Sequence, residues 1–331
     1  MTSLICPVYL TVKSPDSLIK LCGAALAAED SVTLEARALR FADPFGLALL
    51  GATFYMLQQR GQTVRVAGLS DAVGGYLQRM DVFEGVELVD CAPPRGQRHD
   101  QTDALVELTR LDQRSQIDRA ANQLAEALVG RMPDIDPNEP CDEMSCVNTA
   151  DRITIPISYA LTELLNNAMS HARLKGHGDA CVWVASQYYR SNGRLQLAVV
   201  DNGCGMLETL REHAALRDLP RKTDLEAILA ALRPRVSCNR DLEVFSDSVN
   251  QGIGLTTTAR IAEHAGGRLV IVSGAGCHDP LGQSRRLANS ARWQGVAVAL
   301  ECQRDALLNV RIRELMPPIE GMPPLHLRFE E

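Results

Sequence analysis

The sequence has no CxxC motif, no long apolar run and no surplus of positive charge. Its ten cysteines are scattered, and because only Cys141 and Cys146 lie close together, we expect neither a zinc site nor a disulfide framework. No apolar run approaches the roughly 20 residues that a membrane span needs, and the N-terminus lacks the pattern of a signal peptide. With 34 basic and 41 acidic residues, the net charge of −7 argues against a nucleic-acid binder. These absences predict a protein of the reducing cytoplasm that binds neither membrane nor nucleic acid.

The chain is long enough for two domains and apolar enough for packed cores. It has 331 residues, of which 46% are hydrophobic and 23% are charged, as in ordinary folded proteins. Strand and helix patterns alternate over residues 1–92, and the stretch "APPRGQRHD" interrupts them. We predict an N-terminal α/β domain at 1–92, a linker at 93–99, a second domain at 100–303 and a Pro-rich tail at 304–331.

The stretch "ALTELLNNAMSHA", residues 160–172, predicts a helix with an unusual polar face. At 100° per residue its apolar side chains fall on one arc, as a buried face requires. The opposite arc carries Glu163, Asn167, Ser170 and His171. Asn and Ser are mediocre helix formers because their side chains compete for backbone hydrogen bonds. This polar face therefore suggests one wall of a binding site.

Two glycine-containing segments add the chemistry of a nucleotide site. In "VVDNGCGM", Asp201 ends an apolar strand and is an acceptor suited to the exocyclic amine of adenine. Gly203 and Gly205, which lack a Cβ, would let a flat ligand approach the backbone. In "QGIGLTTTARIAEHAGGRL", Gly252 and Gly254 open a helix whose first N–H groups lack intrahelical partners. That helix start is suited to phosphates.

The polar helix supplies the two remaining groups. The carboxamide oxygen of Asn167 is a hard ligand for Mg²⁺, which keeps waters and binds substrate phosphates. Glu163, one turn away on the same face, could orient or deprotonate an attacking water or hydroxyl. Each short pattern is common by chance when it stands alone. In this order, with these strands and helices around them, the three segments predict a site for ATP and Mg²⁺.

These residues resemble the GHKL ATP-binding fold, shared by gyrase, Hsp90, MutL, histidine kinases and anti-sigma-factor kinases. Glu163 and Asn167 match its N-box, with Asn167 in the Mg²⁺ position, and Asp201 matches the adenine position. The resemblance covers roughly residues 100–303 and implies an α/β (Bergerat) sandwich, in which a mixed sheet carries helices on one face. The residues that match its glycine boxes are Gly203, Gly205, Gly252, Gly254 with the following Leu255, and Gly295.

The same resemblance implies a lid over the phosphates at residues 206–251. Its candidate phosphate contacts are Lys222, Arg235 and Arg240, and a solvated surface position is the alternative for each of them. Val296 stands where the family usually has threonine, which puts one adenine-side water contact in question.

The segment "NAMSHA" is similar to the NAxxHA form of anti-sigma kinases and related regulatory ATPases, whereas "GIGLTTTARIAEHAGGRL" looks more like a histidine kinase. No phosphoacceptor helix, meaning a His followed by Glu or Asp on a dimerisation helix, precedes the ATPase pattern. A conventional histidine kinase is therefore not expected. We predict that His171 packs beside the site and does not accept phosphate.

The N-terminal segment resembles a STAS domain, the fold of anti-sigma-factor antagonists. The family's phosphorylated D-S-S-G element reads Asp43-Pro44-Phe45-Gly46 here, and because neither middle residue has a hydroxyl, the usual phospho-switch cannot operate there. Phe45 is open to two interpretations: a fixed docking patch at an exposed helix start, or packing inside its own domain. The residues that carry the resemblance are Asp43, Gly46, Leu47, Gly61 and the helix end "YLQRMDVF".

Together the two resemblances predict a cytoplasmic regulatory protein that binds Mg-ATP. Slow ATP hydrolysis or protein-serine phosphorylation would be the attached chemistry, coupled through the lid to the STAS-like domain or to an external partner. The expected partner is a STAS-like or sigma/anti-sigma-type protein, and a homodimer is left open. The alternatives are a kinase that acts on a separate protein and a non-catalytic nucleotide sensor. An ATP-driven clamp like MutL or Hsp90 is disfavoured, because no transducer domain follows Cys302.

Overall fold

The structure of the protein is a computed structural model. It describes residues 1–91, 105–129, 132, 135–136, 138–144, 146–217, 219–236 and 252–317. The predicted linker at 93–99 lies outside the described residues, as do the last part of the predicted lid and the last part of the predicted tail.

Residues 1–91, called the N-terminal unit below, form a four-stranded parallel sheet with helices on one face. Its strands are β1 (Thr2–Ile5), β2 (Tyr9–Leu10), β3 (Val32–Glu35), β4 (Phe41–Ala42), β5 (Val64–Ala67) and β6 (Glu87–Val89). Its helices are α1 (Pro15–Leu26), α2 (Pro44–Gln59) and α3 (Asp71–Arg79). The sheet order is β1-β3-β5-β6, with β2 and β4 paired separately. Because parallel crossovers are right-handed and this order runs in one direction, the connecting helices lie on the same face.

The second unit, residues 105–317, is an α/β sandwich, as predicted. Its strands are β7 (Leu105–Leu111), β8 (Val182–Tyr189), β9 (Arg194–Asp201), β10 (Arg268–Gly274), β11 (Gly276–His278), β12 (Arg285–Arg286) and β13 (Trp293–Gln303). They form one sheet in the order β12-β11-β10-β13-β9-β8-β7. We expected a mixed sheet, but every described pair is antiparallel.

The helices of the second unit divide into three groups. One face of its sheet is covered by α4 (Ile117–Val129), α5 (Thr149–His171) and α9 (Gly254–His264). The described part of the predicted lid contains α6 (Gly205–Leu210), α7 (Ala214–Arg217) and α8 (Asp224–Ala231). After the last strand come α10 (Arg304–Leu307) and α11 (Ile312–Leu315).

The helix predicted at 160–172 is the C-terminal half of α5. The helix begins earlier because Asn148 and Asp151 form a capping box, in which each side chain accepts from the other residue's backbone N–H at 2.8 and 3.1 Å. Pro156 lies inside the helix, in its second turn. The predicted apolar arc is buried in the core of the second unit, and it consists of Leu161, Leu164, Leu165, Ala168 and Ala172.

Helix α2 of the N-terminal unit is buried almost all round. Only Tyr55, Gln58 and Gln59 of its sixteen residues are more than slightly exposed. A helix that is apolar on every side must be covered on every side. One side of α2 faces its own sheet, and the other lies on β8, β9 and β13 of the second unit.

The two units consequently share one apolar core. On the second unit's sheet, alternate side chains such as Trp183, Ala198 and Val200 point away from α5 and pack with the N-terminal unit. Their neighbours, such as Val199, face the other core, with α5 and α9. The layers therefore run from the N-terminal sheet through its helices and the second sheet to the helices of the second unit.

Several polar contacts cross this seam, and two of them are made by aspartates of the N-terminal unit. The carboxylate of Asp43, buried at the start of α2, accepts from the Gln196 amide of β9 at 2.9 Å, from the Val12 N–H at 2.9 Å and from the Gly46 N–H at 3.0 Å. Burial raises the pKa of Asp43. At the other contact, Asp16 in the first turn of α1 pairs with Arg285.

The interpretation of Phe45 as an exposed docking patch is wrong. Its side chain is fully buried, with 0% of its surface exposed, and the preceding Pro44 is buried as well. The segment Asp43–Gly46, which the sequence analysis compared with a phosphorylated element, is therefore covered by the fold.

Two elements of the N-terminal unit were not predicted. These are strand β1 and helix α1, and the stretch "VYLTV", whose β-branched residues favour a strand, forms only the two residues of β2.

Candidate nucleotide-binding site

One cavity at an end of the second sheet brings the three predicted segments together. It lies between α5, α9, the end of β9 and the described part of the lid. It encloses about 910 Å³, counting the part that is open to solvent. The predicted site residues that line it are Glu163, Asn167, Asp201, Gly205, Gly252, Gly254 and Leu255. Its other walls are mostly apolar and include Leu164, Ala168, Val199, Met206, Leu210, Val236, Val296 and Val298.

Asp201 is held rigidly at the end of β9. Its Oδ1 accepts from the backbone N–H groups of Gly203 at 2.9 Å and Val296 at 3.2 Å, and its Oδ2 accepts from no described residue. Only 3% of the residue is exposed, and this burial raises the pKa of its carboxyl to about 7. The free oxygen is thus an oriented acceptor inside an apolar cavity.

The neighbouring strand β13 holds the backbone at Asp201 and Asn202 with side-chain hydrogen bonds. The indole N–H of Trp293 donates to the Asp201 carbonyl at 2.9 Å, and the Gln294 side chain donates to the Asn202 carbonyl at 2.6 Å. A Cβ on Gly295 would stand 2.1 Å from the Asp201 carbonyl oxygen, so the approach of the two strands requires glycine. The departure from threonine at Val296 leaves this bonding intact, because Val296 contributes its backbone N–H.

We predicted that glycine at 203 and 205 lets a flat ligand approach the backbone. In the structure, glycine is required at both positions because other parts of the chain lie close to them. A Cβ on Gly203 would lie 2.3 Å from the Cα of Ala172, so this glycine lets the loop pack on the end of α5. Gly203 does not line the cavity. Gly205 does line it, with a φ of +77°, and its Cβ would meet the Gln294 carbonyl at 2.7 Å.

Glu163 lies against the start of α9. Only 7% of the residue is exposed, and desolvation raises the pKa of its carboxyl, while a hydrogen bond from Tyr159 partly offsets that rise. A Cβ on Gly254 would stand 1.8 Å from Oε2 of Glu163, so glycine at this position is what lets the carboxylate reach the helix start. A desolvated carboxylate with a raised pKa is a stronger base than an exposed one.

Asn167 suits a metal that is held mainly by a ligand's phosphates. Its half-buried carboxamide lines the cavity and forms no hydrogen bond with any described residue. Within the described part of the chain, no group of three or more His, Cys, Asp or Glu side chains could hold a metal by itself. An open amide oxygen beside a phosphate site is the protein contribution that Mg²⁺ takes when substrate supplies the remaining ligands.

The start of α9 is open toward the cavity. No described side chain caps it, and Gly252 precedes it with a φ of +68°. The Thr256 hydroxyl donates to the Leu232 carbonyl at 2.8 Å, so that side chain joins α9 to the end of α8 and leaves the first-turn N–H groups uncapped. Uncapped N–H groups at the positive end of a helix attract phosphates.

The described part of the lid is a small packed body. Leu210, Leu216, Ala227 and Ala230 form their own core. This body is tied to β10 because the Ser273 hydroxyl accepts from the Met206 N–H at 2.9 Å, and because Asp224 accepts from the Ala275 N–H at 2.9 Å. The beginning of the lid thus has a fixed position beside the cavity.

The three basic candidates of the lid differ in their placement. Lys222 is exposed, does not line the cavity, and donates to the Arg211 carbonyl at 2.8 Å. Arg235 adjoins the cavity through its backbone, whose N–H donates to the Gly252 carbonyl at 2.7 Å. Arg240 lies outside the described residues.

His171 lines the cavity at the end of α5, where burial lowers the pKa of its imidazole to about 4. It is therefore neutral near pH 7.

The sequence analysis missed two residues that touch the site's polar groups. Tyr159, four residues before Glu163, could have been found from helical spacing, whereas the contact of Trp293 with Asp201 leaves no local signal.

Comparison with known proteins agrees with this geometry. Residues 153–286 match the family model described as histidine kinase-, DNA gyrase B-, and HSP90-like ATPase. No curated protein and no solved structure matches the chain significantly. Residues 153–286 thus correspond to a GHKL-type ATPase domain, and such domains bind ATP. The match supports neither the closeness to anti-sigma kinases nor the STAS resemblance of the N-terminal unit.

Among the described residues, no helix combines the length and apolar character needed to cross a membrane.

Proposed function

We propose that the protein is a cytoplasmic regulatory protein that binds Mg-ATP and hydrolyses it slowly or transfers its γ-phosphate to a protein serine. One observation carries the proposal: a single cavity contains a free carboxylate oxygen, an unpaired amide, a desolvated glutamate and an uncapped helix start. Each group suits a different part of Mg-ATP.

Asp201 would select the base. Its free Oδ2 is positioned by the two bonds on Oδ1 and can accept from the exocyclic amine of adenine. Guanine offers a carbonyl at the corresponding edge, which would face a carboxylate acceptor without a hydrogen between them. We therefore expect ATP to bind and GTP to compete poorly.

The phosphates would lie between α5 and the start of α9. The first-turn N–H groups that begin at Gly254 would hold them, and Asn167 would bind the accompanying Mg²⁺. When bound, Mg²⁺ neutralises phosphate charge. Lys222 and Arg235 would contact the phosphates if their side chains turn toward the cavity when the ligand binds.

Glu163 would act as the general base. It lies against the helix start where the phosphates are expected, and its raised pKa suits removal of a proton from an attacking water or hydroxyl. The hydroxyl acceptor does not lie at the STAS-like element of the same chain, because Pro44 and Phe45 lack hydroxyls and are buried. We propose that a phosphoacceptor serine would belong to a separate protein, and water is the alternative.

The N-terminal unit is proposed to be STAS-like, with a fixed position on the second unit. The buried packing of α2 and the Asp43–Gln196 bond support a permanent contact between the units. The regulatory partner, of the STAS-like or sigma/anti-sigma class, would then bind elsewhere on the protein, and a homodimer is an alternative arrangement.

Incubation with ATP labelled at the γ-phosphate tests the proposal. Label in free phosphate identifies an ATPase, and label in an added protein identifies a kinase. Binding without release or transfer identifies a nucleotide sensor. The Glu163→Gln variant is the matched control, and it should bind ATP as the wild type does. Absence of ATP binding by the wild-type protein would refute the proposal.

A further inference from the structure

We propose that Trp293 is a positioning residue for Asp201, and that helix α1 of the N-terminal unit sets the strength of base recognition through residues 285–293. The inference rests on the proposed function, since it concerns how the adenine acceptor is held. It assigns the N-terminal unit a role in the nucleotide site that it does not itself line.

Trp293 belongs to both the seam and the site. Its ring is fully buried in the core that the two units share, and its indole N–H donates to the carbonyl of Asp201 at 2.9 Å. The backbone of Asp201 is therefore held by a side chain that packs with the N-terminal unit.

Helix α1 contacts both ends of the segment that leads into Trp293, through polar bonds at the first end and through close packing alone at the second. At the first end, Asp16 pairs with Arg285 and accepts from the Ala288 N–H at 2.6 Å. At the second end, Gly23 packs close to the Arg292 carbonyl, which a Cβ would meet at 3.5 Å. Between the two, Leu287 and Ala291 are buried in the shared core.

The held segment continues directly into the residues that define the acceptor. Gly295 lies against Asp201, and the Val296 N–H donates to its Oδ1. The Gly295 carbonyl accepts from the Ser273 hydroxyl at 3.1 Å, and the same hydroxyl accepts from the Met206 N–H of the lid at 2.9 Å. A shift of α1 would thus reach both the base acceptor and the first turn of the lid.

The two tryptophans of the chain provide a matched pair for the test. Trp183 is also buried in the shared core, 3% exposed, but it packs on Tyr55 and makes no bond to Asp201. Trp293→Phe and Trp183→Phe both remove an indole from the same core, and only the first removes a side-chain hydrogen bond to the Asp201 carbonyl. Both variants should melt at lower temperature than the wild type.

Calorimetric titration with Mg-ATP should separate the two variants. Trp293→Phe should weaken binding about threefold to tenfold, because a buried acceptor loses a side-chain donor and the loop relaxes. The midpoint of the pH dependence of binding should also rise, since looser N–H bonds to Oδ1 favour the protonated carboxyl. The other titratable groups near Asp201 are Glu163, His171 and Cys204. Trp183→Phe should bind ATP as the wild type does.

A second pair of variants tests whether α1 affects ATP binding. This pair also keeps the inference testable if Trp293→Phe does not fold. Asp16→Asn, which breaks the pair with Arg285, should weaken ATP binding about twofold to threefold. Asp30→Asn breaks an exposed pair with the N-terminal amine, 3.2 Å apart, and should change nothing. Equal losses within either pair, or no loss in Trp293→Phe and Asp16→Asn, would overturn the inference. If the wild type fails to bind ATP, the proposed function fails instead.

Discussion

Replacing Asp201 with asparagine should weaken ATP binding and remove part of its dependence on pH. The amide oxygen can keep the two backbone bonds that Oδ1 now accepts, from Gly203 and Val296. The amide nitrogen then takes the place of Oδ2 and presents a donor to the donor on adenine. Loss of one charge-assisted hydrogen bond corresponds to about 1.5–3 kcal/mol, or roughly tenfold to a hundredfold in affinity.

The pH dependence follows from the sign of the pKa shift. The Asp201 carboxyl of the unliganded protein has a pKa of about 7, and only its ionised form leaves both oxygens as acceptors. About one tenth of the molecules are ionised at pH 6 and about nine tenths at pH 8, so wild-type affinity should rise about tenfold over this range. His171 and Cys204 stay neutral there, since burial lowers the first pKa and raises the second.

Calorimetry at several pH values would measure both effects. The phosphates of the nucleotide also titrate near pH 6, but they do so equally for both proteins, so the ratio of the two affinities reports Asp201 alone. A constant ratio between about pH 6 and pH 8, or equal affinities at pH 8, would refute the reasoning.

The raised pKa of Asp201 also predicts how the stability of the unliganded protein depends on pH. Ionisation of this carboxyl favours ATP binding but destabilises the fold. The folded pKa of about 7 lies above the ordinary value of 3.8, so the folded state binds the proton more tightly. This carboxyl therefore destabilises the fold increasingly as pH rises from about 4 to about 7. Asp201→Asn should melt at higher temperature than the wild type at pH 8, and the difference should shrink toward pH 5.

Five further substitutions test the site and the seam, and one of them, in α3, is a control. Asn167→Ala should abolish the effect of Mg²⁺ on ATP affinity, measured with and without a chelator, whereas Glu163→Ala should retain binding and lose phosphate release. Gly254→Ala should reduce turnover, because its Cβ would stand 1.8 Å from Oε2 of Glu163, whereas Gly75→Ala, which meets nothing within 4 Å, should stabilise α3 slightly. Phe45→Ala should lower the free energy of unfolding by about 3–5 kcal/mol in a denaturant titration, because the ring is fully buried.

For each of these predictions, one experimental outcome would contradict the reasoning. Full phosphate release by Glu163→Ala would favour the sensor interpretation, and Mg²⁺-dependent binding by Asn167→Ala would remove the metal assignment. Wild-type turnover in Gly254→Ala would show that Glu163 need not lie on the helix start. An unfolding curve of Phe45→Ala that matches the wild type would contradict the shared core.

The parts of the site that sequence predicted are those with local signals. Glu163 and Asn167 share a helical face, and Asp201 and Gly254 stand at the end of a strand and the start of a helix, so periodicity and turn chemistry could indicate them. The ends of these elements meet in one cavity only because the sheet order places β9 beside β13. That order depends on pairings between residues about a hundred positions apart.

What sequence could not predict are contacts between distant segments. Helix α2 has apolar residues on every side, a pattern that shows burial but not which surface covers it. Gly203 lies in a segment whose composition is typical of a ligand-binding loop. The structure shows that glycine is needed there because Ala172 fills the space that a Cβ would occupy. The bond from Trp293 to Asp201 joins residues that no spacing rule relates.

The packing of α2 between two sheets also bears on how the chain is made. The ribosome completes α2 at Gln59 and completes β13 at Gln303, about 240 residues later. At about 5–20 residues per second, the side of α2 that covers β8, β9 and β13 waits on the order of 10 to 50 seconds until the whole of its partner surface is made, since β8 and β9 are complete at Asp201 but β13 is not. During synthesis this helix is therefore an exposed apolar segment, and the nascent chain needs protection from aggregation until its last long strand emerges.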